Sequence, residues 1–336
     1  MTRIALITGI LGQDGSFLAD LLLSQAYEVH GLVRPGHAAS GFSRFPHWQA
    51  AAPHLHEVDL GDRTSVADVL RRIRPDEVYN LAAQSHVGKS FEDPWLTTQV
   101  NAVGALNMML SVLETDGSIR MFQAGSADMF GTVDHAPQNE LTPLNPQSPY
   151  ASAKVFAHQL ATQFRHQAGL RVWNGILYPH ESTRRPGSFV IRKVTKGVAA
   201  ILAGDAEKLT LGNMASRRDW GAAEDTVRAM WLMLQDDQPD DYVVSTGEAT
   251  SVQQLVETAF GLAGLEWQDH VEIDPALFRP ADPQLLVGDA SKLRSRLGWE
   301  PRKDFAHLIA GIMEYDLRDA GLDALRYPDL AAVLES

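Results

Sequence analysis

The segment Ile4-Ala-Leu-Ile-Thr8-Gly9-Ile-Leu-Gly12-Gln-Asp-Gly15 runs from an apolar β-type stretch into three glycines spaced G-x-x-G-x-x-G. An amphipathic pattern follows, with Leu18, Leu21 and Leu22 on one side. The order predicts strand, tight turn and helix. Glycines in such a turn let the backbone close sharply and approach a pyrophosphate, which the helix N-terminus then faces. In a chain with 26 glycines the spacing alone means little. The strand–turn–helix context is what makes it a dinucleotide site.

Working outward, strand-like runs recur at Glu28–Val33, Leu55–Val58, Glu77–Leu81, Met121–Ala124, Val172–Leu177 and Val243–Gly247, with helical stretches between them. Alternation of this kind predicts an α/β protein with a doubly wound parallel sheet covered on both faces. From Tyr178 the pattern loosens into prolines, glycine and basic residues, and it turns helical again near Trp220. Ser251 with Gln254 forms a capping box for a helix buried through Val252, Leu255, Val256 and Phe260. The expected division is a Rossmann-type domain from 1–177 and 216–248. A smaller, discontinuous C-terminal substrate domain takes 178–215 and 249–336.

Composition narrows the function classes. Of the 336 residues 45% are hydrophobic and 21% charged, ordinary for a globular enzyme. A net charge of −13 argues against a nucleic-acid binder, which would carry a basic stripe. No apolar run reaches the roughly 20 residues of a membrane span, and no cleavable signal precedes the first strand, so no membrane association is expected. The absence of cysteine removes disulfide and thiolate chemistry, and a cytoplasmic location is expected. His86 and His180 lack metal-ligand neighbours at a recognisable spacing and read as packing or hydrogen-bonding residues, so no metal is expected.

The chemistry concentrates in Ser126-Ala127-Asp128 and Tyr150-Ala-Ser-Ala-Lys154. A Tyr and a Lys four residues apart share one helix face, so the ammonium can sit beneath the phenol and favour its phenolate. Tyr150 is thus a candidate base for a substrate hydroxyl, the step that opens hydride transfer. Ser126 can share that hydroxyl's hydrogen bond, and Asp128 can move a second proton. No G-x-S-x-G elbow surrounds Ser126, which disfavours a hydrolase. Arg34 stands where the second strand ends, in place of the acidic residue that holds ribose hydroxyls, and this favours a 2′-phosphate and NADP. Arg184, Arg185, Arg192, Lys193, Lys196, Arg217 and Arg218 alternate with apolar and turn residues and fit a diphosphate pocket.

Together these strings resemble the GDP-mannose 4,6-dehydratase branch of the extended short-chain dehydrogenase/reductase family. The resemblance rests on Thr8–Ser16, Asn80-Leu-Ala-Ala-Gln-Ser-His-Val87, His180-Glu-Ser-Thr-Arg-Arg185, Phe189–Lys193, Leu211–Gly221 and Ala229–Gln235, and it runs to about Pro301. It implies NADP held by Thr8, Gly9, Gly12, Gln13, Asp14, Gly15, Arg34, Asp59, Leu60, Leu81, Ala82, Ala83 and Gln84, with Tyr150 and Lys154. It also implies a GDP-sugar, GDP-mannose above all, held by Ser85, Glu181, Arg185, Val190, Lys193, Arg218, Arg279 and Asp282. The implied catalytic set is Ser126, Asp128, Tyr150 and Lys154, in a homodimer or homotetramer. The implied reaction oxidises C4, eliminates water across C5 and C6, and returns the hydride to C6.

Where the family has Thr-Ser-Glu, this chain has Ser126-Ala127-Asp128, a carboxylate one methylene shorter. Pro179 replaces an Asn, Pro35 the second Arg of a pair, and Asp282 a Glu. A C4 epimerase or 4-keto reductase on a GDP-sugar would not need the C5 base, and a catalytically silent nucleotide-binding paralogue is the third reading.

Overall fold

The computed structural model describes residues 2–38, 44–49, 52–133, 135–278 and 285–336. Six strands alternate with helices through the first half: β1 (Ile4–Thr8), β2 (Glu28–Val33), β3 (His54–Glu57), β4 (Glu77–Asn80), β5 (Arg120–Ala124) and β6 (Val172–Leu177). Four short strands follow: β7 (His180–Glu181), β8 (Leu209–Leu211), β9 (Arg217–Arg218) and β10 (Gly221–Ala222). Then come β11 (Asp241–Val244), β12 (Thr250–Ser251), β13 (Val271–Ile273) and β14 (Leu285–Leu286).

The main sheet is parallel throughout, in the order β11-β6-β5-β4-β1-β2-β3. Every expected strand is in it. The strand order reverses between β1 and β4, where Thr8 pairs with Asn80 on one side and Leu32 on the other. A crevice outside the carboxyl ends of the strands at such a reversal is where a ligand lies in this architecture.

Side-chain alternation builds a core on each face. Ala5, Ile7, Tyr79, Phe122 and Trp173 pack against helices Gln13–Ser24 and Ala223–Gln235 through Leu18, Leu22, Met230 and Leu234. Leu6, Leu32, Val78, Met121 and Val172 meet helices Arg63–Ile73, Gly104–Thr115 and Pro149–Gln167. The helical stretch Pro94–Thr115 is long and apolar enough to cross a membrane, but it buries Met108, Met109 and Val112 in this second core.

A third cluster forms where helices Val190–Ala203, Val252–Leu262 and Phe305–Asp319 pack together. Its capping box at Ser251 and Gln254 is made in both directions. Two short stretches sit on unexpected sides. Trp220 and Ala222 pack in this third cluster. Ala290, Leu293 and Trp299 pack instead with the sheet and the Ala223–Gln235 helix, where Trp299 Nε1 donates to Asp225 O at 2.9 Å.

Candidate active site

The glycine turn requires its glycines. Gly9 has φ +68°, and a Cβ there would lie 2.9 Å from the Ala82 backbone. At Gly15 a Cβ would meet Gly9 O at 2.4 Å, so the helix could not pack on the turn. The N-cap, Gly12, has no side chain to satisfy the first amides of the Gln13–Ser24 helix. This leaves a bare, partly positive helix end in the crevice, which fits a diphosphate bridge.

Thr8 is fully buried and acts as a brace. Its hydroxyl donates to Asn80 Oδ1 and accepts the amides of Leu81 and Ala82, tying β1 to β4 at the reversal. Ala83 follows on the same loop, half-buried. Gln84 is held by Asn101, Thr97 and the His86 backbone, which fixes the loop ahead of exposed Ser85. Arg34 is exposed just past β2, at the end of the sheet where the glycine turn lies. Asp59 accepts the Gly61 amide within its own loop, and Leu60 packs beneath it.

Ser126 and Asp128 come from the carboxyl end of β5. Ser126 caps a single 3-10 turn, Ala127–Met129. Its hydroxyl accepts the Asp128 amide and donates to Asp128 Oδ2, both at 3.2 Å. Facing it, Ser148 caps the Pro149–Gln167 helix and Pro149 starts it. Ala151, Ala153, Ala157 and Ala161 let that helix lie close to its neighbours, and Tyr150 and Lys154 point inward, 7% and 5% exposed.

The electrostatics differ from the simple expectation of a phenolate stabilised by its lysine. Burial, then the Asp128 carboxylate, push the Tyr150 phenol well above its ordinary range, while a hydrogen bond with Ser126 and the Arg185 charge oppose them. The Lys154 ammonium lies 5.9 Å from the Tyr150 ring centroid and donates to Ala124 O at 2.9 Å. Burial pulls Lys154 down to about 8, and Asp14 works against that. Before any ligand arrives, the tyrosine therefore keeps its proton.

A network with no sequence signal ties the glycine turn to β7, more than 160 positions away. His180 Nε2 meets Asp14 Oδ2 at 2.9 Å, Gln13 Nε2 donates to His180 O, and Ser182 Oγ donates to Gln13 Oε1. Burial opposes both charges of the pair. The imidazole and its hydrogen bonds nevertheless hold Asp14 at about 2, and Asp14 raises His180. Asp14 and Gln13 thus have structural work besides any contact with a cofactor, and Ser182 is a latch residue that sequence reasoning missed.

The basic cluster does not act as one pocket. Arg192 is 3% exposed and faces Asp316 at 2.8 Å. Arg184 lies over Phe17 and binds Ser16 and Asp20. Helical periodicity explains part of the split: Arg192 turns to the Phe305–Asp319 helix, Lys196 one turn on shares that face and acts on the same Asp316, and Lys193 falls on another face of the Val190–Ala203 helix. The diphosphate pocket expected from the whole cluster thus loses Arg184 and Arg192.

Arg185 remains in the crevice, stacked on Phe189 at 3.7 Å and 3.5 Å from Glu181. That contact is between Arg185 Nε and Glu181 Oε2, two buried atoms that face each other as an ion pair just beyond hydrogen-bond geometry. Burial raises the Glu181 carboxyl despite Arg185. Val190 and Lys193 occupy the first turn of their helix, half-buried, and Arg218 is half-buried on β9. Arg279 and Asp282 lie outside the described residues.

Comparison with known proteins places this crevice in a family. The GDP-mannose 4,6 dehydratase family model matches residues 6–312. GDP-mannose 4,6 dehydratase 1 of Arabidopsis thaliana is 46% identical, over 97% of this chain and 96% of its own. The Homo sapiens GDP-mannose 4,6 dehydratase is 40% identical over 94% and 91%. Among solved structures, RMD from Pseudomonas aeruginosa complexed with NADPH superposes with a TM-score of 0.80, at 24% identity and covering 95% of this chain and all of that one. DesIV, a dTDP-glucose 4,6-dehydratase from Streptomyces venezuelae with NAD and TYD bound, gives 0.83 at 23% identity, covering 98% and 100%. These two show the fold. The chain belongs to the GDP-mannose 4,6-dehydratase family.

Proposed function

We propose that the protein converts GDP-mannose to a GDP-4-keto-6-deoxyhexose, with NADP held over the Gly9–Gly15 turn and Arg34 beside its 2′-phosphate. The observation that carries this reading is the burial of Tyr150 and Lys154 against Ser126 and Asp128 at the carboxyl end of β5. The bare helix end and the Gly9 and Gly15 contacts support a dinucleotide there. NADP supplies a hydride acceptor for C4 and the same hydride for C6.

In this reading the bound ligands and the Lys154 charge would first bring the Tyr150 phenol down so that it gives its proton to solvent, and the phenolate then takes the C4 hydroxyl proton while Ser126 holds that oxygen. The resulting C4 ketone acidifies the C5 proton. Asp128 takes that proton and passes it to the departing C6 hydroxyl, which leaves as water. The proton kept by Tyr150 matches the one C5 needs at the end, so the sum is loss of one water. Arg185, Lys193 and Arg218 line the side from which a GDP moiety would enter. Arg279 and Asp282, on residues 279–284, complete the set by family pattern.

Incubation with GDP-mannose and NADP, followed by mass spectrometry, tests the reading. A product lighter by one water supports it. The short Asp128 favours one rival, a C4 epimerase, and an isobaric product would establish that instead. Conversion only of an added 4-keto substrate with NADPH would mean a 4-keto reductase, and no conversion even then would leave a silent nucleotide binder. We also infer a cytoplasmic homo-oligomer. Cysteine-free composition supports the compartment. Exposed Phe91, Trp95, Leu96 and Phe156 on adjoining helices give a second copy an apolar surface to cover, which sedimentation would detect.

A further inference from the structure

At the opposite end of the sheet from the crevice, β2 begins with Glu28-Val-His30 beside His54-Leu-His56 of the edge strand β3. The parallel register pairs His30 with His54, and the two-residue period puts Glu28, His30, His54 and His56 on one face. The ligand atoms of Glu28, His30 and His54 all lie within 4.8 Å of one another. His30 is mostly buried, its ring 4.8 Å from that of His54 and 5.2 Å from that of His56. Glu28 and His54 face solvent, so the cluster is open to an ion.

We propose that Glu28, His30 and His54 form a site for a borderline divalent transition-metal ion, Zn²⁺ or an ion of like coordination, that clamps the edge strand to β2. Two imidazoles and a carboxylate are a donor set such ions take, with a fourth position left to water. Ligands about 2.0–2.2 Å from a tetrahedral ion are roughly 3.5 Å apart. His30 Nε2 and Glu28 Oε1 are 2.9 Å apart, so they need only open slightly, and His54 must swing inward.

The hydrogen bonds around the cluster show what holds the ligands and what competes with the ion. Arg72 can only donate, so His56 Nδ1 accepts from it at 3.2 Å. Neutral His56 then carries its proton on Nε2 and donates to His30 Nδ1 at 2.9 Å. Neutral His30 in turn donates Nε2–H to Glu28 at 2.9 Å. The ion would replace that last proton. His30 would then carry its proton on Nδ1 and give it to His56 Nε2, the outer partner that orients a metal-bound imidazole. His56 would shift its own proton to Nδ1, and Arg72 would have to move away. No proton is gained or lost in the exchange. Arg72 thus opposes binding, whereas a cluster that merely decorates an edge strand has no such dependence.

Titration of the full-length protein, free of any histidine tag, with Zn²⁺ against a chromogenic chelator tests this, with Co²⁺ absorption reporting geometry. Expected is one ion per chain and a tetrahedral Co²⁺ spectrum. His54→Ala and His30→Ala should each weaken binding by about tenfold or more, and Arg72→Ala should tighten it severalfold. Zn²⁺ should raise the melting temperature of the wild type but not of His54→Ala, a solvent-facing change that leaves folding intact. Wild-type binding no stronger than that of a His30→Ala/His54→Ala double variant overturns the site. Weaker binding by Arg72→Ala overturns the proton arrangement on which it rests.

Discussion

Lys154 and Arg192 are both cations on helices and both at most 5% exposed, yet their surroundings are opposite. Arg192 faces the Asp316 carboxylate at 2.8 Å and donates to Thr183 O, while Thr195 donates to Asp316 from the other side. Among the described residues Lys154 has a single carbonyl at 2.9 Å, and the Asp14 carboxylate acts on it only from a distance. Burial shifts Lys154 to about 8. A buried charge closed off by its counter-charge holds a structure together. One left short of a partner, beside a tyrosine and a short carboxylate, is placed for work on a ligand.

The widest separation between the two should come from Tyr150→Phe. Loss of the phenol removes the proton acceptor at C4 and should lower kcat by on the order of a thousandfold. The helix around it should melt where the wild type does, because the hydroxyl's surroundings already disfavour charge. A large drop in melting temperature with modest loss of turnover would put Tyr150 on the structural side with Arg192 and break the contrast.

Arg192→Met should do the reverse. It strands Asp316, whose carboxyl is already raised by burial despite the pair. Breaking a buried pair in this way costs about 3–5 kcal/mol. Urea unfolding should show that loss, while kcat of the protein that remains folded should stay near the wild-type value. An equal fall in kcat would mean that the Val190–Ala203 helix transmits to the crevice.

Asp128→Glu probes the crevice alone. The longer side chain restores roughly 1.5 Å of reach, and misplacement of about 1 Å can cost a hundredfold. Elimination should therefore speed up, by roughly tenfold, read as faster incorporation of solvent deuterium at C5 of the product. An unchanged or abolished rate would mean that the loop from Ser126 already delivers the shorter carboxylate.

The sheet was legible because its signals are local. Most of the seven strands are apolar runs bounded by turn residues, with the edge strand β3, His-Leu-His-Glu, the polar exception, and the Ser251 cap reads from four positions. The catalytic residues were legible in kind, since Tyr150 and Lys154 lie one helical turn apart and Ser126 ends a strand. Their electrostatics were not, because the carbonyl that holds Lys154 and the carboxylate that faces Tyr150 come from another element. The basic segment misled for the same reason. Arg192 and Lys193 are neighbours in sequence, and only the packing of the Phe305–Asp319 helix decides that one is sealed and the other is not. The Glu28–His30–His54 cluster needed the β2–β3 register, which joins two dipeptide-spaced pairs that carry no signal separately.

The most direct measure of the charge difference is the pH dependence of stability. Lys154 ordinarily titrates near 10.5 and in the fold near 8. Below about pH 8 both forms of the chain carry the proton, and the folded state bears the full penalty of burying it. Between about pH 8 and 10 the unfolded chain keeps the proton that the folded chain has released, so stability from this group rises with pH, by at most about 1.4 kcal/mol per unit. Lys154→Met removes the titrating group and fills the same space. It should therefore be more stable than the wild type at pH 7, with a margin that shrinks as pH climbs through that window. Arg192→Met, which removes a group that does not titrate there, should differ from the wild type by a constant amount between pH 8 and 10. Urea unfolding of the three proteins at four pH values would show both trends. A Lys154→Met margin that stays flat or widens would mean that the buried ammonium is as well compensated as Arg192, and the distinction between working and structural cations in this fold would fail.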